Sequence, residues 1–316
     1  MHLSPLLDEV RRRHDPGSQA ARRLFHGRGG CYPGLDAVTV DWFPPVAVVT
    51  LHAPAPAPRL DALEEGLGAI LGERLECLLV QRRDLPGAPW RVLRGAIPEP
   101  AYAVEAGLRY RLRLGEGQNL GYFPDMIDGR ALVRRLATGR RVLNLFAYTC
   151  AFSVAALAGG AEQVTNLDMN RGVLELGRQN HRDNSVELRR ASFLAHDLFK
   201  SFGKLRRLGP FGLVVVDPPS HQGASFSARR DWPRLLRHLP SLLAPGAEVV
   251  ACLNAPHLGP EFLVEQFAAH APGCSLQEIL PTPRDFPDRF PERGLKVLRF
   301  QWGGVEKQVK IEGRTF

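Results

Sequence analysis

The chain has 316 residues and a net charge of +8, and its 44% hydrophobic and 23% charged residues are typical of a globular protein. It contains no run of about 18 apolar residues and no signal-peptide pattern, so we expect a soluble, cytoplasmic protein without membrane spans. Its five cysteines are scattered and include no CxxC pair, which excludes a predicted disulfide framework or structural zinc site.

The predicted elements begin with a small α+β module over residues 1–105. Its β-branched and apolar runs predict strands at 37–43, 46–51 and 75–81. The Ala/Pro run at 53–58 predicts a stiff loop, and Asp61 is a candidate N-cap for a helix over 62–71. We expect this module to be a domain that can contact RNA, because most of the 41 basic residues of the chain are arginines.

The second part of the chain, residues 106–316, has a different texture. A strand with a basic face formed by Arg109, Arg111 and Arg113 is predicted at 108–114. Further strands are predicted at 141–146, 163–168, 192–195, 213–216, 248–253, 275–280 and 296–302, and helices at 131–136, 152–158, 171–180 and 232–243. Short buried strands that alternate with helices predict an α/β fold, a doubly wound Rossmann-like sheet with helices on both faces.

Ligands of such sheets bind beyond the carboxyl ends of the strands, so the residues that follow each strand are candidates for a site. The segment 144–152 lacks GxGxxG, and the bulky Phe146 and Tyr148 disfavour a dinucleotide. Asp168 closes the next strand, where a carboxylate can accept hydrogen bonds from ribose hydroxyls, and Asp197 follows the third strand. Each aspartate is equally compatible with a helix cap or a turn.

The tetrapeptide Asp217-Pro218-Pro219-Ser220 follows the fourth strand of this series. Two consecutive prolines stiffen the backbone after a buried strand and leave carbonyl groups without local partners. A rigid, irregular turn at the ligand edge of a sheet is costly unless it has a use. We therefore interpret it as a turn that presents its carbonyls and the Asp217 side chain to a substrate amine or base edge.

These strand-end motifs resemble those of class I S-adenosylmethionine-dependent methyltransferases. More narrowly, they are similar to bacterial large-subunit ribosomal RNA methyltransferases that make 5-methylcytosine or 7-methylguanine. The segment 144–152 follows the family loop Asn-x-Phe-Ser/Ala-Tyr-Thr-Gly-x-Phe, with Cys150 in place of the glycine. Segments 117–130 and 25–35 are also similar, so the resemblance covers most of the chain. It implies a seven-stranded methyltransferase sheet, S-adenosylmethionine as cofactor, and a base in RNA, with ribosomal RNA expected, as acceptor.

The resemblance also implies roles for individual residues. Phe146, Tyr148 and Thr149 would line the methionine and ribose part of the cofactor. Asp168 would hold the ribose diol, and Asp197 would meet the adenine amine. The implied cofactor-binding residues are Phe123, Asp125, Asn144, Phe146, Tyr148, Thr149, Asp168, Met169, Asp197 and Asp217. The implied catalytic residues are Asp217, Pro218, Pro219 and Asn254.

The atom that accepts the methyl group stays open at this point. Cytosine C5 is a poor nucleophile and needs a cysteine thiolate that adds to C6. In cytosine-modifying members of the family this cysteine follows the fifth strand, where the present sequence has Asn254, whereas Cys252 lies inside the predicted strand. A nitrogen acceptor is therefore favoured. Stacking of a flipped base would fall to His221 or Phe226, because Ser220 cannot stack.

Other classes of function remain alternatives. One is a non-catalytic RNA-binding or assembly factor on a methyltransferase scaffold, which Cys150 and the displaced cysteine suggest. Another is a methyltransferase that acts on a protein or a small molecule. The histidines form no HxxxH or HxH group, so no metal site is predicted. The sequence does not predict an oligomeric state.

Overall fold

The computed structural model describes residues 3–219 and 226–304 of the chain. Within these ranges the helices are α1 (Ser4–Arg13), α2 (Ala57–Leu71), α3 (Ile127–Leu136), α4 (Ala151–Ala158), α5 (Arg171–Asp183), α6 (Phe202–Leu208), α7 (Ala228–His238) and α8 (Pro260–His270). The strands are β1 (Arg22–His26), β2 (Val38–Phe43), β3 (Val46–Leu51), β4 (Cys77–Arg82), β5 (Trp90–Arg94), β6 (Tyr102–Glu105), β7 (Leu108–Arg111), β8 (Arg141–Leu145), β9 (Gln163–Asp168), β10 (Ala191–Ala195), β11 (Phe211–Val216), β12 (Leu243–Leu253), β13 (Cys274–Ile279) and β14 (Lys296–Trp302).

The N-terminal part forms a five-stranded sheet with the order β1-β2-β3-β4-β5. Helix α2 connects β3 to its parallel neighbour β4. Because successive strand residues face opposite sides, alternate residues build two cores. On one side Val49 and Val80 pack with α1 and α2, and on the other side Val48 and Leu79 pack against Tyr110 and its neighbours. This sheet is therefore covered on both faces.

The three strands predicted for residues 1–105 are confirmed, but two boundaries between residues 57 and 114 are wrong. Helix α2 begins at Ala57 with Pro56 as its N-cap residue, so Asp61 lies inside the helix and does not cap it. Pro58 lies in the first turn of the helix. A proline is tolerated there because the amide hydrogens of the first turn have no partner within the helix. Strand β7 ends at Arg111, whose guanidinium pairs with Asp183, so the strand predicted at 108–114 is shorter than expected.

The larger sheet has seven strands in the order β10-β9-β8-β11-β12-β14-β13. Strand β14 is antiparallel to β12 and β13, and the other neighbouring strands are parallel. The α/β fold predicted from the alternating pattern is confirmed. The strand order reverses between β8 and β11, so the switch point at which such sheets bind ligands lies beyond these two strands.

The hairpin of β6 and β7 joins the two sheets through a buried ion pair. The Nε atom of Arg130 on α3 donates to the Glu105 carboxylate at 3.0 Å, and the Tyr122 hydroxyl donates to the same group at 2.6 Å. Arg130 Nη1 also donates to the Phe123 carbonyl at 2.9 Å. These contacts fix the segment that leads into α3. They cross the domain boundary predicted at residue 105, which stays a prediction.

Candidate active site

The loop between β8 and α4 has a strained backbone. Phe146, Tyr148 and Cys150 have φ angles of 58°, 47° and 60°, in the left-handed region that residues other than glycine rarely adopt. The Asp168 carboxylate holds the loop, because its Oδ2 atom accepts a hydrogen bond of 2.9 Å from the Tyr148 amide. Its Oδ1 atom accepts another of 2.9 Å from the Asn170 amide. Asp168 thus connects the end of β9 to the loop that follows β8.

A glycine on the neighbouring helix accommodates the cysteine that departs from the family motif. Cys150 is buried, and desolvation raises the pKa of its thiol well above the ordinary value. A Cβ atom at Gly177 on α5 would lie 2.5 Å from the Cys150 Sγ atom. The side chain of Cys150 therefore fills the space that Gly177 leaves, and the loop has its strained conformation with cysteine in place of glycine.

A chain of buried hydrogen bonds lies beneath this loop. Asn144 Nδ2 donates to Asn166 Oδ1 at 2.9 Å, and Asn166 Nδ2 donates to Ser153 Oγ at 3.0 Å. Ser153 Oγ is 2.9 Å from His181 Nε2. The Asn144 Oδ1 atom has no hydrogen-bond partner in the described ranges. Asn144 therefore lies inside β8 as a support of the loop, and its contact with the cofactor stays a prediction.

We refer to the sheet edge bounded by Phe123, Tyr148 and Met169 as the crevice. Large apolar side chains lie exposed there. The Phe123 side chain is 45% exposed, and its ring centroid is 5.4 Å from that of Tyr148. Met169, directly after β9, is 64% exposed. Thr149 lies deeper, where its Oγ1 atom donates to the Gly121 carbonyl at 2.7 Å and ties the loop to the covering segment. Exposed rings beside a polar strand edge suit a ligand with an apolar part.

Asp197 occupies the position that the sequence analysis assigned to it, beyond the end of β10. Its Oδ1 atom accepts a hydrogen bond of 2.7 Å from the Phe199 amide and caps the turn Leu198–Lys200. The capping role left open by the sequence is therefore present. The side chain is only partly buried, and the contact with an adenine amine stays a prediction.

Two carboxyl groups approach each other beyond the end of β11. Burial and the nearby Asp125 carboxylate raise the pKa of Asp217 to about 7, against the opposing effect of Arg130. Burial also raises the pKa of Asp125, against the effects of Arg23 and Arg130. Burial together with the Asp217 carboxylate raises the pKa of the Cys252 thiol well above its ordinary value. This part of the edge attracts cations and disfavours a thiolate.

The residues predicted to be catalytic lie along the ends of two adjacent strands. Strands β11 and β12 are parallel, and Val216 pairs with Ala251. Asp217 and the exposed Asn254 are the first residues after these two strands, so both stand at the same end of the sheet. Lys296, which is buried, donates from Nζ to the carbonyl of the residue that follows Asn254 at 2.8 Å and supports this turn. Asp217, Pro218, Pro219 and Asn254 are therefore neighbours at one sheet edge.

Several candidates fall elsewhere. Ser220 and His221 lie outside the described residues. Phe226 is buried, with its ring centroid 5.2 Å from that of Phe146 and 6.3 Å from that of Trp232, so it is not available to stack on a base. Residues 3–219 and 226–304 contain no group of three His, Cys, Asp or Glu side chains that could hold a metal ion. They also include no helix with the length and apolar character to cross a membrane.

The sequence analysis missed the charged residues that support the site. Arg130 and Glu105 are separated by 25 positions, and neither belongs to a periodic pattern or a recognised spacing. For Lys296 the sequence pattern predicts only a place in the strand at 296–302 and no role in the site. The signal that could have indicated a role for Arg130 is its position in α3. It is a charged residue next to Gly129 and close to Leu132, which are both buried.

The fold and this edge together define a class of protein. The sequence profile of S-adenosylmethionine-dependent methyltransferases matches residues 22–301, so the chain belongs to this family. It is an S-adenosylmethionine-dependent methyltransferase, and the dinucleotide cofactor that the missing glycines disfavoured is not its cofactor. The carboxylates fit this cofactor, because Asp168 can accept hydrogen bonds from hydroxyls and the carboxyls of Asp125 and Asp217 suit a sulfonium cation.

Particular relatives carry more specific names. The chain is 27% identical over 287 residues to the ribosomal RNA large subunit methyltransferase I of Aeromonas salmonicida. This match covers 84% of the present chain and 72% of the relative. The chain is also 29% identical over 250 residues to the protein of the same name from Yersinia pestis. That match covers 75% of the present chain and 62% of the relative.

Solved structures show the same fold. The structure of SMU.776 complexed with SAH has a TM-score of 0.83 at 23% identity and covers 95% of this chain and 82% of that one. The M. jannaschii tRNA m1G37 methyltransferase has a TM-score of 0.61 at 14% identity and covers 84% and 72%. At these identities the likeness supports the fold alone.

Proposed function

We propose that this cytoplasmic enzyme transfers a methyl group from S-adenosylmethionine to a base of large-subunit ribosomal RNA. The observation that carries the proposal is the position of Asp168, Asp217 and Asn254 at one edge of the seven-stranded sheet. The printed names of the relatives from Aeromonas salmonicida and Yersinia pestis support the acceptor. A net charge of +8 suits a polyanionic substrate, because basic residues release counterions from RNA when they bind it.

In this proposal the strand-end residues orient two reactants and exclude water. S-adenosylmethionine, when bound, supplies an electrophilic methyl group on a sulfonium. Asp168 accepts hydrogen bonds from the ribose, while Phe123 and Tyr148 cover the crevice. The residues that complete the cofactor site are Asp125, Asn144, Phe146, Thr149, Met169, Asp197 and Asp217. The stiff turn Pro218-Pro219 and Asn254 orient the acceptor base. Orientation and a dry site are the main contributions that a protein can make to such a displacement.

The state of Cys252 supports a nitrogen atom, rather than C5 of cytosine, as the acceptor. Methylation at C5 requires a thiolate, but Cys252 is fully buried and its thiol pKa is raised well above the ordinary value. Asp217, with a pKa of about 7, can accept the proton that an exocyclic amine or a ring N–H releases on methylation near neutral pH, whereas N7 of guanine carries no proton and needs no base. We therefore assign Asp217 the role of base.

Mass spectrometry of ribonucleosides from large-subunit ribosomal RNA tests the proposal. Cells that lack the protein are expected to lose one N-methylated nucleoside, which the unaltered chain restores. Asp168→Ala and Asp217→Asn are expected to fail to restore it, whereas Asp61→Asn, which removes an exposed carboxylate on α2, is the matched control and restores it. An unchanged set of nucleosides would contradict the ribosomal substrate, and loss of 5-methylcytidine would contradict the nitrogen acceptor.

The alternatives give different results in two further measurements. Isothermal titration measures binding of S-adenosylmethionine and its demethylated product, and transfer of a labelled methyl group is followed into RNA, protein and small-molecule fractions. Binding without transfer to any fraction would favour a non-catalytic RNA-binding or assembly factor. Transfer to protein or to a small molecule would favour another acceptor.

A further inference from the structure

Basic side chains collect at one edge of the N-terminal sheet. The parallel strands β3 and β4 end at Leu51 and Arg82, so His52 and Arg83 follow them side by side. The Arg83 amide donates to the Leu51 carbonyl at 2.8 Å, which confirms that they are neighbours. Arg28, shortly after β1, reaches the same place, with Nη1 at 2.7 Å from His52 Nδ1. We refer to Arg28, His52 and Arg83 as the basic edge.

No carboxylate of the described chain neutralises the basic edge. The nearby Asp41 carboxylate is bound by Arg23 through two hydrogen bonds of 2.8 Å. Asp84 is bound by Arg82 through two hydrogen bonds of 2.7 and 2.6 Å. Among residues 3–219 and 226–304, neither arginine of the basic edge has a carboxylate oxygen within 4.0 Å. Within the described residues, the guanidinium charges of Arg28 and Arg83 are therefore not paired with a carboxylate.

The histidine of the basic edge is a neutral hydrogen-bond donor. Burial and the charges of Arg28, Arg83 and Arg23 lower the pKa of His52 to about 4, against the effect of Asp84. The ring is therefore uncharged at neutral pH. A guanidinium can only donate, so Nδ1 is the acceptor towards Arg28 and the ring proton is on Nε2.

The basic edge lies beside the crevice that holds the methyl-transfer residues. Arg83 Nη2 donates at 2.6 Å to the Gln118 carbonyl, in the turn from which the chain runs to Phe123. Asp125 follows Phe123 by two positions, and it is close enough to Arg23 for that guanidinium to act on the pKa of its carboxyl. The basic edge is thus tied through Gln118 to the segment that leads to Phe123 and Asp125, and we expect the backbone of an RNA strand whose base enters the crevice to pass near it.

We propose that the basic edge binds a backbone phosphate of the RNA, next to the nucleotide whose base enters the crevice. This inference rests on the proposed RNA substrate. A phosphodiester carries one negative charge and oxygens that accept from guanidinium and imidazole N–H groups, which are the groups present here. Such a contact is independent of sequence and fixes the register of the strand, and base recognition is left to the crevice.

Binding of a short, fluorescein-labelled, single-stranded RNA of mixed sequence tests this inference. In the described residues the side chain of Arg28 has one hydrogen bond, to His52, and no ion pair, so Arg28→Gln is expected to remove a charge with little effect on the fold. We expect affinity to fall about three- to tenfold and the slope of log K against log salt to lose about 0.7, as for one contact to a single strand.

The matched control is Arg207→Gln. Arg207 is exposed in the last turn of α6, which leads into the start of β11, so it lies at the opposite end of the large sheet from the crevice. Arg207→Gln removes one positive charge, as Arg28→Gln does, and RNA affinity is expected to stay unchanged. Binding of the demethylated cofactor, measured by isothermal titration, is expected to be equal in both variants and the unaltered chain.

Four outcomes would overturn the inference. Equal weakening by Arg28→Gln and Arg207→Gln would mean that only net charge matters. Unchanged affinity in Arg28→Gln would refute the phosphate contact and leave the proposed RNA substrate intact, whereas no RNA binding by the unaltered chain would refute that substrate as well. If inorganic phosphate shifted the His52 ring resonances while Arg28→Gln bound RNA normally, the site would belong to the free anion.

Discussion

The Asp217 carboxyl lies in surroundings that oppose its ionisation. Burial and Asp125 raise its pKa from 3.8 to about 7, so between these values the folded chain binds more protons than the unfolded chain. The stability contributed by this group therefore falls as the pH rises through that window. We expect Asp217→Asn to be more stable than the unaltered chain by about 1–3 kcal/mol at pH 8 and by almost nothing at pH 4.

Thermal denaturation over this pH range measures the effect. The difference in Tm between Asp217→Asn and the unaltered chain is expected to grow steadily as the pH is raised. Asp61→Asn serves as control, and its Tm is expected to follow that of the unaltered chain. A constant difference at all pH values would show that the substitution acts through packing rather than through ionisation.

Cys150 and Gly177 form a pair whose coupling can be measured. Gly177→Ala places a Cβ atom 2.5 Å from the Cys150 Sγ atom, and we expect it to destabilise the fold by about 1–3 kcal/mol. In the Cys150→Gly background the contacts with Sγ and Cβ are gone and only the Thr149 carbonyl carbon remains close, at 3.3 Å, so the same substitution is expected to cost clearly less. Urea denaturation of the four chains gives the coupling energy, and simple additivity would contradict the steric explanation.

The site residues found from sequence are those tied to strand ends. Asp168 and Asp217 could be predicted because each stands at the end of a recognisable strand of a parallel sheet. Asn144 belongs to the same motif, yet its position inside β8 depends on a hydrogen bond to Asn166 that no spacing indicates. Arg28 shows the same limit, because its neighbour His52 is brought close only by the pairing of β1, β2 and β3.

At the scale of elements, one ion pair holds α3 to the β6–β7 hairpin. The side chains of Arg130 and Glu105 are 2% and 8% exposed. Glu105→Gln leaves a buried guanidinium without a counter-charge, so we expect a loss of about 3–5 kcal/mol in the free energy of unfolding. The double variant Glu105→Leu with Arg130→Leu removes both charges and is expected to lose less. Urea denaturation compares them.

The control for this prediction is an exposed pair. The side chains of Arg189 and Glu187 are 83% and 53% exposed, so Glu187→Gln is expected to leave the denaturation midpoint unchanged. If the buried double variant lost as much stability as Glu105→Gln, the loss would come from packing rather than from an unpaired charge.

Elements of the large sheet were easier to predict than those around it. Strands such as β8 and β11 are short, mainly apolar runs because both of their faces are buried, and this leaves a clear pattern. Helix α1 and strand β1 were missed, because arginines occupy several of their positions and conceal the apolar ones. The start of α2 was misjudged because a proline-rich run was interpreted as a loop.

At the scale of the whole molecule, the N-terminal sheet shares an apolar core with the β6–β7 hairpin, the segment that follows it and Val154 of α4. Val48 and Leu79 of the N-terminal sheet pack in one cluster with Tyr110 and Leu112, which lie beyond the predicted boundary at residue 105. We expect the fragment 106–316 to expose this surface and to lose Glu105 as partner of its buried arginine. Circular dichroism and size-exclusion chromatography are expected to show aggregation or no cooperative thermal transition, in contrast to the full chain.

A monomeric 106–316 fragment that melts at the same temperature as the full chain would contradict this expectation. It would then support the division into domains 1–105 and 106–316 as independently folding units.

The left-handed loop after β8 has a consequence for turnover. Because Asp168 and the backbone of the chain itself hold Phe146, Tyr148 and Cys150 in place, the ordering of this loop is completed during folding. Little conformational freedom is then left to lose when a small nucleoside arrives or leaves. Exchange of product for fresh cofactor is accordingly expected to be fast, with engagement of the large acceptor setting the pace of the cycle.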